Sequence, residues 1–428
     1  MPSPFSAKTS RDLLPRPLAI IYGLLLFTLL GAAGCTILPE NSLSLSQRST
    51  VIRNDETVKQ VLSKAVLEES GDPAVNHIRV LHLQGTPYEM GFQHGRLLKR
   101  EVRDAVYHVL RKVGILVPLD TLDEVWDLMA PYIPVEEKEE MRGLAHGAGI
   151  PLRLVHWVHA LPELSEYRGR KQFRHRLSGT SCSNLAAFGQ ATAGRAFLQL
   201  RVLDWNRELG THKWPVILVH RPDKGNASVT FSFAGFIGAV SGMNDRHMAF
   251  GEKGEGNKAA ETLEGTPFVF LFRKLMREAG TLDRAVEMIR EAKRTCAYSF
   301  LISDAKSGTT KAVLIFSDKD KIKIYEPGRS FTDPRDRKEY PGLKDVVYNG
   351  ADKKDLFRAI TSAYGRIDTE ALKEIAVKVA RKSNIQNVIF NPVTLESWVS
   401  HAATPVRDEK GRAANQAWFY FNFKDALQ

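Results

Sequence analysis

The residue pattern changes character at Cys182. Upstream, apolar residues recur at helical spacing, as in "YEMGFQHGRLLKREVRDAVYHVLRKVG" and "IPLRLVHWVHALPEL". Downstream come short runs suited to strands: "SNLAAFG", "RAFLQLRVLD", "WPVILVH", "ASVTFSF", "IGAVSGMN" and "HMAFGE". Two helical patterns, "PFVFLFRKLMREAG" and "LDRAVEMIREAKR", interrupt the strands, and two more lie near 352–364 and 368–381. Strand runs separated by helix pairs predict sheets layered beneath helices, the α+β class. Spacing alone does not choose among the folds of that class.

A chain of 428 residues, 43% apolar and 25% charged, can bury a large core and has ordinary globular composition. Its formal charge of +11 allows anionic partners. No zinc-finger, RRM or helix-turn-helix pattern accompanies that charge, so nucleic acid is not expected. Nor does any metal-ligand cluster stand out. The histidines of "HWVHA" are spaced unlike the metalloprotease pair, and no cofactor motif is found.

The N-terminus reads as an export signal. Lys8, Arg11 and Arg16 precede the apolar run "PLAIIYGLLLFTLLGAAGC". "AAGC" resembles a bacterial lipobox, which implies lipidation at Cys35 and removal of what precedes it. The expected organisation starts with a lipoprotein signal peptide over 1–35 and a polar tether over 36–54. The expected location is the bacterial cell envelope, at its periplasmic face, with the lipid anchor as membrane partner. Only Cys182 and Cys296 then remain of three cysteines. In an oxidising compartment the two could pair.

A nucleophilic cysteine needs a base, because the reference thiol pKa is about 8.5. Twelve histidines are available, but none sits in a papain-like or caspase-like signature. Cleavage of the Ser181–Cys182 bond would supply another base. The new α-amine has a reference pKa of about 7.7 to 8.0, suited to proton transfer near neutrality.

The stretch "GTSCSNLAAFGQATAGRAFLQLRVLDW" resembles the N-terminal nucleophile hydrolases of the acyl-coenzyme A:isopenicillin N acyltransferase family (peptidase family C45). "GTPYEMGFQHG" (85–95), "GAVSGMNDRHMAFGEKGEG" (238–256) and "YSFLISDAKSG" (298–308) extend the likeness over most of residues 80–320. The resemblance implies a four-layer αββα sandwich with two stacked antiparallel sheets and a helical N-terminal segment. It implies self-cleavage into a mostly helical, propeptide-derived α chain, 55–181, and a β chain, 182–428, which stay associated.

It also implies roles: Cys182 as nucleophile, Asp204 orienting the α-ammonium, Arg201 stabilising the thiolate, and Asn244 as oxyanion donor. On one strand Arg201 and Asp204 would face opposite ways, so a bend near Leu203 is expected to bring both to the thiol. The implied activity is hydrolysis or acyl transfer on a linear amide through a Cys182 thioester, with a small amide or acyl compound as substrate.

Two departures from the family pattern stand out. Val202 occupies a position where asparagine is familiar, and Ser181 precedes the cysteine where glycine is common. Two other readings stay open. One is a non-catalytic envelope lipoprotein that uses the same sandwich for binding. The other is an uncut cysteine hydrolase with a histidine base.

Overall fold

The computed structural model describes Ile52 and residues 55–70, 77–167, 181–256, 261–306 and 311–428. Cys35, with the expected signal peptide and nearly all of the tether, lies outside the described residues.

The chain opens with α1 (Asp55–Leu62), β1 (Val66–Ser70) and β2 (Ile78–Gly85). Five helices follow: α2 (Pro87–Leu97), α3 (Lys99–Leu116), α4 (Asp120–Met129), α5 (Val135–Ala148) and α6 (Leu152–Glu166). Beyond Cys182 come β3 (Ser183–Ala187), β4 (Leu198–Asp204), β5 (Pro215–Pro222), β6 (Ser228–Phe233), β7 (Ser241–Asn244) and β8 (Met248–Gly254). Then come α7 (Phe268–Glu278), α8 (Leu282–Glu291), β9 (Tyr298–Asp304), β10 (Lys311–Ser317) and β11 (Ile322–Tyr325). The short β12 (Phe331–Thr332) and β13 (Glu339–Tyr340) precede β14 (Val346–Asn349), α9 (Lys353–Ala363) and α10 (Thr369–Val379). β15 (Asn384–Asn391), β16 (Glu396–His401), β17 (Phe419–Asn422) and α11 (Phe423–Ala426) close the chain.

Two large sheets result. The nine-stranded sheet runs β1-β2-β5-β6-β7-β8-β9-β10-β11, and the six-stranded sheet runs β14-β3-β4-β15-β16-β17. Strand alternation shows how they stack. On β5, Val216 and Leu218 pack among α3 to α8, while Ile217 and Val219 meet Val388 and Phe390 of the six-stranded sheet. On the far side of that second sheet, Leu198, Leu200 and Ile389 pack with Leu356 and Ile360 of α9 and Leu372 and Ile375 of α10. The order helix, sheet, sheet, helix is the αββα sandwich.

The N-terminal segment departs from expectation in three ways. The pattern "DETVKQVLSKAVLEES" predicts one helix, but its second half is β1, paired antiparallel with β2 from Val66↔His82 to Ser70↔Ile78. The gain of a sheet partner overrides local helix propensity here. β2 then pairs with β5 in parallel, Arg79↔Val216 to Gly85↔Pro222, so the larger sheet is mixed rather than wholly antiparallel.

The long helix expected from 85 onward breaks at Leu98 (φ −107°, ψ 34°), between α2 and α3. A capping box opens α2: the Thr86 hydroxyl accepts from the Glu89 N–H, and the Glu89 carboxylate accepts from the Thr86 N–H. α2 and α5 touch backbone to backbone. A Cβ added at Gly91 would lie 1.9 Å from the Glu140 carbonyl oxygen. One added at Gly143 would lie 2.0 Å from that of Tyr88. Gly95 and Gly147 repeat the contact one turn on.

Candidate active site

β3 and β4 pair with Asn184 against Arg201 and Ser183 against Val202. Extending the ladder, Ser181 N–H donates to the Asp204 carbonyl at 3.0 Å. This places the expected cleavage point beside the end of β4. Cys182, Arg201 and Asp204 are all buried. The Cys182 thiol is free, as is Cys296, so the disulfide reading is set aside.

The irregularity beside Leu203 lies on the partner strand β15 rather than on β4. Between Asn384, opposite Asp204, and Gln386, opposite Leu203, β15 carries an extra residue, Ile385. Such a bulge increases local twist and re-aims the side chains beside it. The charges of Arg201 and Asp204 both influence the thiol, in opposite directions. Val202 turns the other way, into the core beneath α9 and α10. A valine suits that apolar setting.

Three residues that sequence reasoning did not single out, Glu252, Arg381 and Asn384, surround these side chains. Glu252, late in β8, meets the Arg201 guanidinium at 3.2 Å with both side chains fully buried. Gly251 lets them meet across the sheets. A Cβ there would lie 3.3 Å from Arg201 Cγ and 2.3 Å from Asn184 Oδ1. Asn384 Nδ2 donates to the Leu203 carbonyl at 3.0 Å and to Asn387 Oδ1 at 2.8 Å. Asp204 Oδ1 accepts from the Arg381 N–H at 3.1 Å.

Burial dominates the electrostatics. It pushes the Cys182 thiol up to about 12. Arg201 pulls the other way, Glu252 and Asp204 push it further up, and a backbone N–H from Asp204 pulls it down. Burial raises Asp204 to about 7 against the Arg381 N–H and the Arg381 and Arg201 charges. It raises Glu252 to about 8 despite Arg201. In the uncut chain the sulfur therefore holds its proton. No imidazole is among the groups that act most strongly on it.

Several polar atoms here are buried without a hydrogen-bond partner: Asp204 Oδ2, Glu252 Oε1, Asn184 Oδ1 and Arg201 Nε and Nη1. Buried polar atoms are nearly always paired, and each orphan costs roughly 1–3 kcal/mol. These atoms belong to side chains on β3, β4 and β8, on both sheets.

Asn244 is not brought to this cluster. Its amide donates to the Met276 and Ala279 carbonyls at 3.0 Å each. Its Oδ1 accepts from the Arg246 and Met248 N–H groups at 3.1 and 3.2 Å. All of that hydrogen-bonding capacity goes to the β7–β8 turn and the C-terminal end of α7.

A pocket adjoins the thiol. Leu203, Phe233, Trp205 and Val240 pack with Cys182 and also line the cavity, and Glu252 stands in its wall. Apart from Glu252, only Thr211 and Ser232 bring a hydroxyl or carboxyl group to the lining. Much of the remaining wall comes from α3 and α6, through Ala105, Val106, Val109, Val158 and Leu161. Trp205 is also part of this wall.

No family model matches the chain. Among curated relatives, protein dcd1A of Dictyostelium discoideum is 28% identical over 354 aligned residues, covering 72% of this chain and 75% of that protein. Protein dcd1B of the same organism is 28% identical over 312 residues (66% and 59%). An uncharacterized protein of Archaeoglobus fulgidus is 25% identical over 352 residues (69% and 57%). The match thus spans less than two thirds of the second and third of these relatives. Among solved structures, a Caenorhabditis elegans N-acylethanolamine-hydrolyzing acid amidase ortholog superposes with a TM-score of 0.40 at 11% identity, covering 56% of this chain and all of that one. Penicillin V acylase from Agrobacterium tumefaciens gives 0.36 at 10% identity (57% and 86%). A variant of conjugated bile acid hydrolase from Clostridium perfringens gives 0.37 at 11% (57% and 93%).

Proposed function

We propose that this protein is a self-processing cysteine amidohydrolase whose nucleophile becomes a chain terminus, and that its substrates are linear amides with an apolar acyl part. The observation that carries this reading is the buried, unpaired Asp204 Oδ2, an acceptor beside Cys182 with no donor. An α-ammonium at residue 182 is the donor that the uncut chain lacks.

Processing begins when Cys182 Sγ attacks the Ser181 carbonyl carbon. The Ser181–Cys182 C–N bond breaks, a thioester forms, and the proton lost by sulfur passes to the departing nitrogen, which becomes the α-amine. Water then attacks the thioester. One of its protons goes to sulfur, and the other is released as the new Ser181 carboxyl ionises. In turnover the amine accepts the thiol proton as sulfur attacks the substrate carbonyl. That proton passes to the leaving amine, and water hydrolyses the acyl-enzyme.

Arg201 would stabilise the developing thiolate, and Glu252 would anchor Arg201. Asp204, held by the Arg381 N–H, would orient the ammonium. Acyl transfer to an amine would use the same thioester. Water is the expected acceptor at an envelope location, because coenzyme A thioesters are cytoplasmic. That location, with lipidation at Cys35, rests on the N-terminal sequence alone. The apolar cavity beside the thiol supports the acyl preference.

N-terminal sequencing and intact mass of the purified protein test the reading. The expected result is two polypeptides, one beginning at Cys182, and a single uncut chain for Cys182→Ala. An active protein with no polypeptide beginning at 182 overturns the mechanism. An uncut wild-type chain that ignores a thiol-directed acyl probe favours a binding protein.

A further inference from the structure

The histidines of "HWVHA" take no part in the chemistry proposed above. One of them has a specific place in the fold. The β6–β7 connection, residues 234–240, forms a side of the apolar cavity through Ala234, Phe236, Gly238 and Val240. Two fully buried imidazoles hold this connection by its backbone. Gly235 N–H donates to His94 Nε2 at 3.1 Å, and Ile237 N–H donates to His159 Nε2 at 2.9 Å.

The second contact is the more constrained. His159 Nδ1 lies 2.7 Å from the Val155 carbonyl, one turn back along α6. A carbonyl only accepts, so Nδ1 carries the proton and Nε2 offers its lone pair to the loop. The ring also lies flat against Phe236, 4.7 Å between centroids at 7°. One side chain therefore contacts both the backbone of the loop and the aromatic ring that the loop turns into the cavity, beside Ser232, whose hydroxyl donates to the Phe236 carbonyl at 2.8 Å. Space around the loop is tight. A Cβ at Gly235 (φ +86°) would meet Val106 Cγ2 at 3.0 Å, and one at Gly238 would meet Val269 Cβ at 2.8 Å.

We infer that His159, with His94 in support, is a specificity-positioning residue: it sets the position of Phe236 and so the size of apolar acyl group that the cavity admits. Both histidines belong to the N-terminal segment and the loop to the C-terminal one, so acyl selection is shared across the expected cleavage point. The inference rests on the cavity being the acyl site of the reaction proposed above.

The test compares His159→Leu, which keeps bulk but removes the acceptor, with His159→Gln, which restores one. The substrates are N-acyl amides sharing one leaving group, from acetyl to hexadecanoyl. For His159→Leu, kcat/KM on long-chain substrates should fall by about tenfold or more, mainly through KM, with the acetyl substrate changing less than about threefold. His159→Gln should recover much of the loss. An equal fall on short and long substrates, or none on either, overturns the inference. A second readout needs no chemistry: binding of a fluorescent long-chain fatty acid by Cys182→Ala protein, with and without His159→Leu. Affinity weakened by the second substitution supports the inference even if N-terminal sequencing refutes processing. Unchanged affinity overturns it even if processing is confirmed. Should His159→Leu fail to fold, Phe236→Ala gives the same decision, since enlarging the cavity should move the preferred acyl group towards larger sizes. An unchanged preference counts against the inference.

Discussion

Cys182 sits where charge is expensive. Its thiol is fully buried, and its closest charged neighbours include two carboxyl groups. Asp204, Glu252 and Glu163, the last holding the start of α7 and the Tyr298 hydroxyl, all titrate near 7 to 8 in the folded chain. The folded state thus binds their protons more tightly than the unfolded chain does. Stability from this source is fully present below the unfolded carboxyl pKa of about 4. It falls as pH rises and is gone once pH passes the folded values. Gln cannot ionise, so Glu252→Gln in a Cys182→Ala background should gain Tm relative to its parent between about pH 5 and about pH 8, by about 2 °C or more. Circular-dichroism melts at the two pH values check this, and a constant gap would count against it. At this scale Cys182 was legible because one residue had to serve as both nucleophile and base. Glu252 was not: in "HMAFGEKGEG" nothing separates it from a surface glutamate until the sheets stack. Asn384 and Arg381 stand far along the chain from Asp204 and are joined to it only by pairing between β4 and β15. The hydrogen bonds of Asn244 were not legible, because an asparagine after glycine and methionine reads alike whether its amide faces a substrate or two backbone carbonyls.

Among the elements, the α2–α5 crossing sets helix propensity against packing. Alanine is favoured over glycine inside a helix by about 1 kcal/mol, so propensity alone predicts that Gly143→Ala stabilises. The added carbon would lie 2.0 Å from a backbone carbonyl oxygen and 2.7 Å from a backbone nitrogen, neither of which can swing aside. Overpacking typically costs about 1–3 kcal/mol, and here it should win. Gly114 in α3 is the control. It is exposed, and a Cβ there meets only the Leu119 side chain, at 3.7 Å. Gly143→Ala should lower the urea midpoint and Gly114→Ala should leave it unchanged or raise it. A rise for both would mean that the helices part easily. Glycines early in the 85–114 helical pattern were visible in the sequence, but their partners in "MRGLAHGAG" gained meaning only from the crossing. The strands were found as apolar runs, yet their register was hidden. β4, β6, β8 and β9 are buried on both faces, which erases the alternation that marks a half-exposed strand.

At the scale of the whole molecule, helix-rich and strand-rich halves were legible from periodicity, and layering followed from their order. Missing from that picture was how far the N-terminal segment enters the sheet. β2 pairs along its length with β5, and residues from both sides of position 181 share one hydrophobic core. Cleavage before Cys182 should therefore leave the two polypeptides together. They should co-elute in native size exclusion and lose structure in a single thermal transition. Separation of the chains without denaturant would contradict the arrangement.

The parallel pairing of β2 with β5 also gives the molecule a direction in time. Parallel neighbours need a long crossover between them, and here that crossover contains the bond expected to break. Before scission the strands find each other as parts of one tethered chain. Afterwards, any unfolded pair must meet by diffusion, at nanomolar or micromolar concentration, with exposed apolar helices free to aggregate. The mature form would persist behind a kinetic barrier rather than by reversible equilibrium, a heterodimer whose assembly instructions were discarded when it matured.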